Sequence, residues 1–374
     1  MLIINYLIVM FFFLVFFILS TLDKKISYKL KKGIILTSIM LLSFFASFRV
    51  IGNDTNSYKL IFEQQNIIHS SKEFIQNIFH YQIEPAFILM ISFLKSLNFD
   101  YKVFLFISAL IPLLIIYKVI IKIEKDYLFI TFLLFLMLYL VRGPLDVIRQ
   151  FFAAVIYLSA LYSLSVKKEF NYYKKSILST FFHYSSLITL FLRPFLKYTW
   201  NIKKYILIYT IIFILGLTLK TFIIDFVYNL PINSLNRIYL KLQNYIDNRY
   251  DIDSFLKGFL LYSRWFFPIV LNLAIILVLL YSNQIYQKNL FIKLLTNSQI
   301  YGSFIFIFLW NIGAPIMARR LEFTLSVGSF FILKEILAHQ KGKNKYIYIF
   351  IILYLLIYNL LEMLYFIQLT TNIL

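Results

Sequence analysis

Two arginines and an aspartate stand where one apolar run ends at residue 141 and the next resumes at residue 151. The stretch reads Arg142-Gly-Pro-Leu-Asp146-Val-Ile-Arg149-Gln150. In a helix, Arg149 would follow Arg142 by seven residues and Asp146 by three, so all three could lie near one face. Arginine binds phosphate with two parallel hydrogen bonds, which lysine cannot reproduce. The stretch therefore favours binding of a lipid-linked pyrophosphate. An interfacial anchor with a helix-capping ion pair is the plain structural alternative.

The composition predicts a helical membrane protein. Of 374 residues, 61% are hydrophobic and only 14% are charged, and the mean hydropathy is +0.79. These values lie far outside the usage of soluble proteins. We expect an all-α polytopic membrane protein that forms a single transmembrane domain over residues 1–374. About 10 to 12 transmembrane helices would fit the apolar runs.

Charge and cysteine content exclude several other classes. A net charge of +20 would suggest nucleic acid in a soluble chain. In a membrane protein, the same positive charge comes from basic residues that set the topology and that attract anionic lipid. Membrane lipids are therefore the expected partner, and nucleic acid is not. Because cysteine is absent, disulfides and thiolate metal sites are excluded.

The order of apolar runs and basic clusters predicts broken segments. Lysines in the first connector make it cytoplasmic by the positive-inside rule, so connectors 52–82 and 225–257 lie outside. If every apolar run crossed the membrane, the later basic clusters could not all lie on the cytoplasmic side. They can if segments 84–97 and 176–196 enter and leave the membrane on the same side or are broken within it. The runs fall near 2–22, 33–51, 84–97, 103–120, 127–141, 147–166, 176–196, 204–224, 258–281, 290–311, 321–337 and 346–367.

Lysine and arginine then separate by side. Most lysines fall in the inner connectors, whereas all arginines except Arg193 fall at or near the outer side. The positive-inside rule predicts the opposite for arginine. An anionic ligand on the outer side would explain this arrangement. The arginines of the outer set are Arg49, Arg142, Arg149, Arg237, Arg249, Arg264, Arg319 and Arg320.

Five motifs, taken in order, resemble the EpsG-like branch of the Wzy-type polysaccharide polymerases. They span roughly residues 45–335, and their order and spacing carry the resemblance. At Arg142-Gly-Pro-Leu-Asp146 the chain departs from the family, so Arg142 and Asp146 rest on the residues alone. The motifs are Phe48-Arg49 to Gly52-x-Asp54-x-x-x-Tyr58, Glu84-Pro85-x-Phe87, Ile148-Arg149-Gln150, Phe182-His183-Tyr184-Ser185-Ser186 and Ala318-Arg319-Arg320-Leu-Glu322.

The resemblance implies a fold akin to the GT-C glycosyltransferases, in the bacterial cytoplasmic membrane. It also implies a reaction in which a growing glycan leaves undecaprenyl pyrophosphate. The glycan would pass to the non-reducing end of a lipid-linked repeat unit on the outer side. Donor and acceptor would both be lipid-linked glycans, no cofactor is expected, and a chain-length regulator protein is left open as a further partner.

The reaction suggests a role for each candidate residue. Arg149 and either Arg319 or Arg320 would bind the pyrophosphate, with Arg49 and Arg142 as second choices. Asp54 is the preferred general base because its polar turn keeps it ionised. Glu84 is the alternative base, or a partner of Arg49.

Two further residues complete the site. His183 either braces a broken helix or acts directly, as a proton carrier or phosphate ligand. Tyr58 offers a ring that could stack on a sugar. No metal is required, because the outer motifs contain no clear pair of aspartates two residues apart. Asp251 and Asp253 have this spacing, but they lie in a polar connector where chance solvent-exposed acids are expected.

Two other functions stay open. A flippase or transporter of lipid-linked oligosaccharide would also place arginines in a cavity, but it predicts internal symmetry, and no repeat is found. A GT-C transferase that adds one sugar from a polyprenyl phosphate predicts a carboxylate cluster in the first outer loop. In that loop Asp54 alone is a poor match to a cluster, although Glu63 and Glu73 follow it in the sequence.

Overall fold

The computed structural model describes residues 2–49, 55–65, 67–81, 83–228, 266–281, 286–287, 289–339, 353–357 and 359. These ranges contain helices and connecting turns and no strand. The helices are α1 Leu2–Thr21, α2 Tyr28–Ser47, α3 Thr55–Gln64, α4 Ser71–Tyr81, α5 Pro85–Ser96, α6 Tyr101–Ile123, α7 Leu128–Tyr139, α8 Ile148–Ser165, α9 Glu169–Phe182, α10 Ile188–Leu192, α11 Ile202–Thr218, α12 Lys220–Tyr228, α13 Phe266–Tyr281, α14 Leu290–Asn311, α15 Pro315–Ser326 and α16 Ser329–His339.

Several of these helices suit a membrane. About 20 helical residues cross the roughly 30 Å apolar core of a bilayer. Among the described helices, α2, α6, α8 and α14 are long and apolar enough to span it, and shorter apolar helices lie at 7–21, 85–96 and 128–139. The chain is an all-α polytopic membrane protein, as the composition predicts. The total of 10 to 12 spans stays a prediction.

At one end of the bundle, which we call the basic end, two buried lysines form ion pairs with carboxylates. Lys31 Nζ lies 3.2 Å from Asp23 Oδ1, and Lys334 Nζ lies 2.5 Å from Glu124 Oε1. Asp23 Oδ2 also accepts a hydrogen bond of 3.1 Å from the backbone N–H of Phe129, in the first turn of α7. The connectors before α2 and before α7 are therefore joined at this end.

The opposite end, the arginine end, holds Arg49 at the close of α2 and Arg149 in the first turn of α8. Helices α2 and α6 run antiparallel between the two ends. Tyr28 Oη donates to the carbonyl of Ile121 over 2.7 Å at the basic end, while Arg49 and Tyr101 interact at the other. Apart from Arg193, the described arginines lie at this end, but the lysines are not confined to the basic end. Lys102 Nζ lies 5.3 Å from the ring centre of Phe48, next to Arg49. Arg237, Arg249 and Arg264 lie outside the described residues.

Residues 169–197 form a hairpin that starts and finishes at the basic end. Glu169 binds both Arg193 and Lys197, which closes the base of the hairpin. Within the hairpin, Tyr172 Oη donates to the carbonyl of Thr189 over 2.5 Å. The tip is His183, where α9 ends in an extended conformation. The predicted break in segment 176–196 is therefore present, and the hairpin that contains it begins and ends at the basic end of the bundle.

Helix α5 also fails to cross the bundle. Its 12 residues rise about 18 Å, well short of a full span. Glu84, which precedes it, contacts Arg149 at the arginine end. After α5 the chain turns directly into α6, and Tyr101 Oη there donates to the carbonyl of Thr55 over 3.1 Å. Segment 84–97 thus begins and ends near the arginine end, as predicted.

The predicted single run 321–337 is two helices, α15 and α16, separated at Val327 and Gly328. A Cβ atom on Gly328 would lie 2.3 Å from Leu295 Cδ2 in α14. A side chain at position 328 would therefore require the buried Leu295 side chain to shift, and hydropathy alone gives no sign of this close packing.

Candidate active site at the arginine end

The stretch from Arg142 to Gln150 is a tight turn followed by a helix, so the expected continuous helical face is wrong. Helix α7 ends at Tyr139, and α8 begins only at Ile148. Gly143 N donates to the carbonyl of Tyr139 over 2.8 Å, and a Cβ atom there would lie 2.6 Å from that oxygen. Gly143 makes the turn possible, and the turn sends Arg142 and Arg149 in different directions.

Arg149 forms the central ion pair of the site. Its Nη1 atom donates to Glu84 Oε2 over 2.5 Å. The Glu84 side chain is 6% exposed and that of Arg149 is 21% exposed, so the arginine is the more accessible partner. The guanidinium carbon lies 5.7 Å from the Tyr58 ring centre and 5.9 Å from that of Phe87. Glu84 thus partners Arg149, where the sequence suggested Arg49.

Arg49 approaches the same tyrosine from α2. Its guanidinium carbon lies 5.9 Å from the Tyr58 ring centre, and Nη1 donates to the carbonyl of Pro144 over 2.7 Å. Asp146 also interacts with it electrostatically. Arg49 therefore joins the end of α2 to the turn before α8, and the buried Tyr58 ring contacts both guanidiniums. A sugar-stacking role for Tyr58 stays a prediction.

His183 reaches the site from the tip of the 169–197 hairpin. It is buried and interacts electrostatically with Glu84. Its Nδ1 atom lies 2.7 Å from Ser185 Oγ and 3.2 Å from the Ser185 backbone nitrogen, which donates to it. Behind it, Phe182 stacks on Phe152 of α8 with ring centres 4.7 Å apart. His183 therefore braces the break, as one of its two predicted roles requires, and also stands beside a candidate base.

A second arginine group lies on the other side of the turn, against α15. The Arg142 guanidinium carbon is 5.1 Å from the Phe323 ring centre. Glu322 is buried and interacts electrostatically with Arg142 and, more weakly, with Arg319. Arg142 therefore links the turn before α8 to the Glu322 side chain of α15.

Gln150 connects this group to α8, because its Nε2 atom donates to the backbone carbonyl of Arg320. Arg319 and Arg320 are both partly exposed. The start of α8 thus carries Arg149 towards Glu84 and Gln150 towards α15. The structure brings together Arg49, Tyr58, Glu84, Arg149 and His183 on one side and Arg142, Arg319, Arg320 and Glu322 on the other.

Some predicted residues and contacts need separate mention. Asp54, the preferred base, lies outside the described residues, as do Asp251 and Asp253. Phe87 and Gln150 belong to the sequence motifs, but the sequence does not predict a role for either residue. The spacing Glu84-Pro85-x-Phe87 places Phe87 one helical turn from Glu84, which is the signal that could have assigned it to the site.

Comparison with known proteins gives one family. A family model described as EpsG family matches residues 32–373. No curated protein and no solved structure matches the chain. The matched range includes every described residue of the site.

Proposed function

Because this chain belongs to the EpsG family, we propose that it is the polymerase of a surface polysaccharide. Membership supports a polymerase-like role in polysaccharide biosynthesis. The proposed reaction transfers the growing glycan from undecaprenyl pyrophosphate to the non-reducing end of a lipid-linked repeat unit. It takes place on the outer side of the bacterial cytoplasmic membrane. The observation that carries this proposal is the gathering of guanidiniums around the first turn of α8.

The leaving group explains what the arginines do. As the glycosidic bond breaks, the departing diphosphate keeps the bonding electrons and its oxygens gain negative charge. Guanidiniums fixed in a site of low dielectric constant stabilise this charge without reorganising. Arg149 is assigned to the diphosphate for two reasons. Glu84 holds its planar guanidinium in place, and the Arg149 side chain is more exposed than that of Glu84. Arg319 or Arg320 is the second ligand, with Arg49 and Arg142 as second choices.

The acceptor hydroxyl must lose a proton as it attacks. A carboxylate already bound to a guanidinium is better suited to holding that guanidinium than to accepting a proton. The Glu84–Arg149 contact therefore favours Asp54 as general base and Glu84 as the residue that orients Arg149. His183, beside Glu84, could carry the proton away or bind a phosphate oxygen.

Reconstitution provides the test of function. The purified protein in proteoliposomes would be supplied with lipid-linked repeat units, and the glycans would be separated by size. Polymerase activity gives a ladder of longer lipid-linked glycans. A transporter moves the units across the bilayer without lengthening them, and a single-sugar transferase adds one sugar from its polyprenyl-phosphate donor. The absence of any ladder from a folded protein would contradict the proposed function.

A further inference from the structure

A polar cavity of about 640 Å³ lies between α4, α5 and the connector that precedes α4, outside the arginine site. Glu73, Gln76 and Asn77 line it from α4. Their spacing of three and four residues places them on one face of that helix. The remaining lining residues are Gln65, Ile67, His69 and Lys95.

The walls of this cavity are held by hydrogen bonds. Ser70 Oγ accepts from the backbone N–H of Glu73 over 3.2 Å, and Glu73 Oε2 accepts from that of His69 over 2.9 Å. The pair forms a capping box at the start of α4. The His69 N–H also lowers the pKa of the Glu73 carboxyl, so it is ionised at neutral pH. On the facing wall, Lys95 Nζ donates to the carbonyls of Phe62 and Gln65 over 2.7 and 2.5 Å.

Gln65 contributes a buried side chain to the wall of the cavity. The side chain is fully buried, and its Nε2 atom donates to the carbonyl of Ile88 over 2.8 Å. Its Oε1 atom accepts no hydrogen bond within the part of the chain that the structure describes. Because this oxygen is buried, a ligand in the cavity would not reach it, so the polar contacts come from Glu73, Gln76 and Asn77.

The cavity lies a short distance from the proposed reaction centre. Glu84 stands directly before α5, and Gln65 binds the carbonyl of Ile88, one turn into the helix. Lys95 is eleven residues beyond Glu84, which corresponds to about 16 Å along the helix axis. A glycan that reacts beside Glu84 and Arg149 could therefore reach this cavity with its more distant sugars.

We propose that this cavity binds an uncharged sugar residue of the lipid-linked glycan, some rings away from the reacting bond. Amide side chains both donate to and accept from hydroxyl and acetamido groups, and the fixed Glu73 carboxylate accepts from hydroxyls. An anionic ligand is disfavoured, because Glu73 is ionised and Lys95 is bonded to backbone carbonyls. The assignment rests on the proposed function, since it names a subsite for the same substrate.

Binding of a free oligosaccharide tests the cavity separately from catalysis. The probe is the repeat-unit oligosaccharide released by mild acid from the lipid-linked precursor, labelled with a fluorophore and without lipid or phosphate. Wild-type protein in nanodiscs should bind it. The double variant Gln76→Ala, Asn77→Ala should bind about tenfold more weakly through the loss of two or more hydrogen bonds. Its KM for the lipid-linked acceptor should rise by a similar factor.

Lys72→Ala is the matched control, because Lys72 is an exposed residue of α4 that does not line the cavity. It should leave the Kd unchanged, and the single variant Gln76→Ala should show part of the loss if the double variant is unstable. No binding by the wild type, or equal binding by wild type and the cavity variants, would overturn the proposal. Cavity-dependent binding without any glycan ladder would instead overturn the polymerase assignment and leave the subsite standing.

Discussion

At the scale of single residues, Glu84 and Arg149 form the contact on which the site depends. They are 65 positions apart in the chain and meet over 2.5 Å. The sequence identified both residues by type and motif. It could not pair them, because a contact over that distance is set by the packing of α5 beside α8 and α9. The same packing brings His183 towards Glu84.

Replacing Glu84 tests that contact. Glu84→Gln removes the charge that faces Arg149 and should destabilise the protein by about 1 to 3 kcal/mol. The effect should be smaller than for a fully buried pair, because the Arg149 side chain is 21% exposed. Thermal unfolding in detergent micelles measures it. Glu63→Gln is the control, since its pair with Lys59 is exposed and should contribute little. Equal unfolding temperatures for both variants would contradict a structural role for Glu84.

Asp54→Asn tests the general base. Loss of a positioned base should lower turnover of lipid-linked repeat units by about 10² to 10⁴. Asp100→Asn is the matched control, because Asp100 only caps α6 by accepting from the backbone N–H of Val103, and asparagine caps equally well. Unchanged turnover in Asp54→Asn would move the role of base to Glu84.

At the scale of elements, hydropathy predicted long helices well and irregular ones poorly. The run 290–311 coincides with α14, and the run 147–166 is within one residue of α8 at each end. By contrast α9 begins at Glu169, seven residues before the predicted 176, because its polar first turns do not raise the hydropathy. Small side chains let it pack closely on α8, as when Ser179 Oγ donates to the carbonyl of Ala153 over 2.7 Å. Such packing is specified by shape and not by hydropathy.

The turn before α8 gives a test at this scale. Gly143→Ala would place a methyl group 2.6 Å from the Tyr139 carbonyl and from the Phe151 ring. It should cost about 1 to 3 kcal/mol of stability and displace the start of α8, lowering activity. Gly33→Ala is the control, because nothing lies within 4 Å of its Cβ position inside α2. It should stabilise the protein by about 0.5 to 1 kcal/mol. Two variants of equal stability would contradict the described turn.

At the scale of the whole molecule, the separation of arginines from lysines sets the expected orientation. The basic end is predicted to face the cytoplasm and the arginine end the outside. The sequence predicts this orientation only if segments 84–97 and 176–196 leave the membrane on the side from which they enter it. The contacts of Glu169 with Arg193 and Lys197 supply the physical reason for the second return.

Cysteine labelling tests this orientation directly, because the natural chain contains no cysteine. Lys59→Cys should react with a membrane-impermeant maleimide in intact spheroplasts. Lys168→Cys and Lys197→Cys, at the two ends of the hairpin, should react only after permeabilisation. All three positions are exposed. Labelling of Lys168→Cys and Lys197→Cys from opposite sides would show that the segment between them crosses the membrane, against the described hairpin.

The most direct test of the central claim is the glycan ladder made by reconstituted Arg149→Lys. Lysine keeps the positive charge but loses the planar fork, so a bidentate role predicts that the ladder falls by at least about 10². Arg193→Lys, at the basic end, should leave the ladder intact. Both variants should unfold near the wild-type temperature. A full ladder from Arg149→Lys would contradict the assignment of this guanidinium to the departing pyrophosphate.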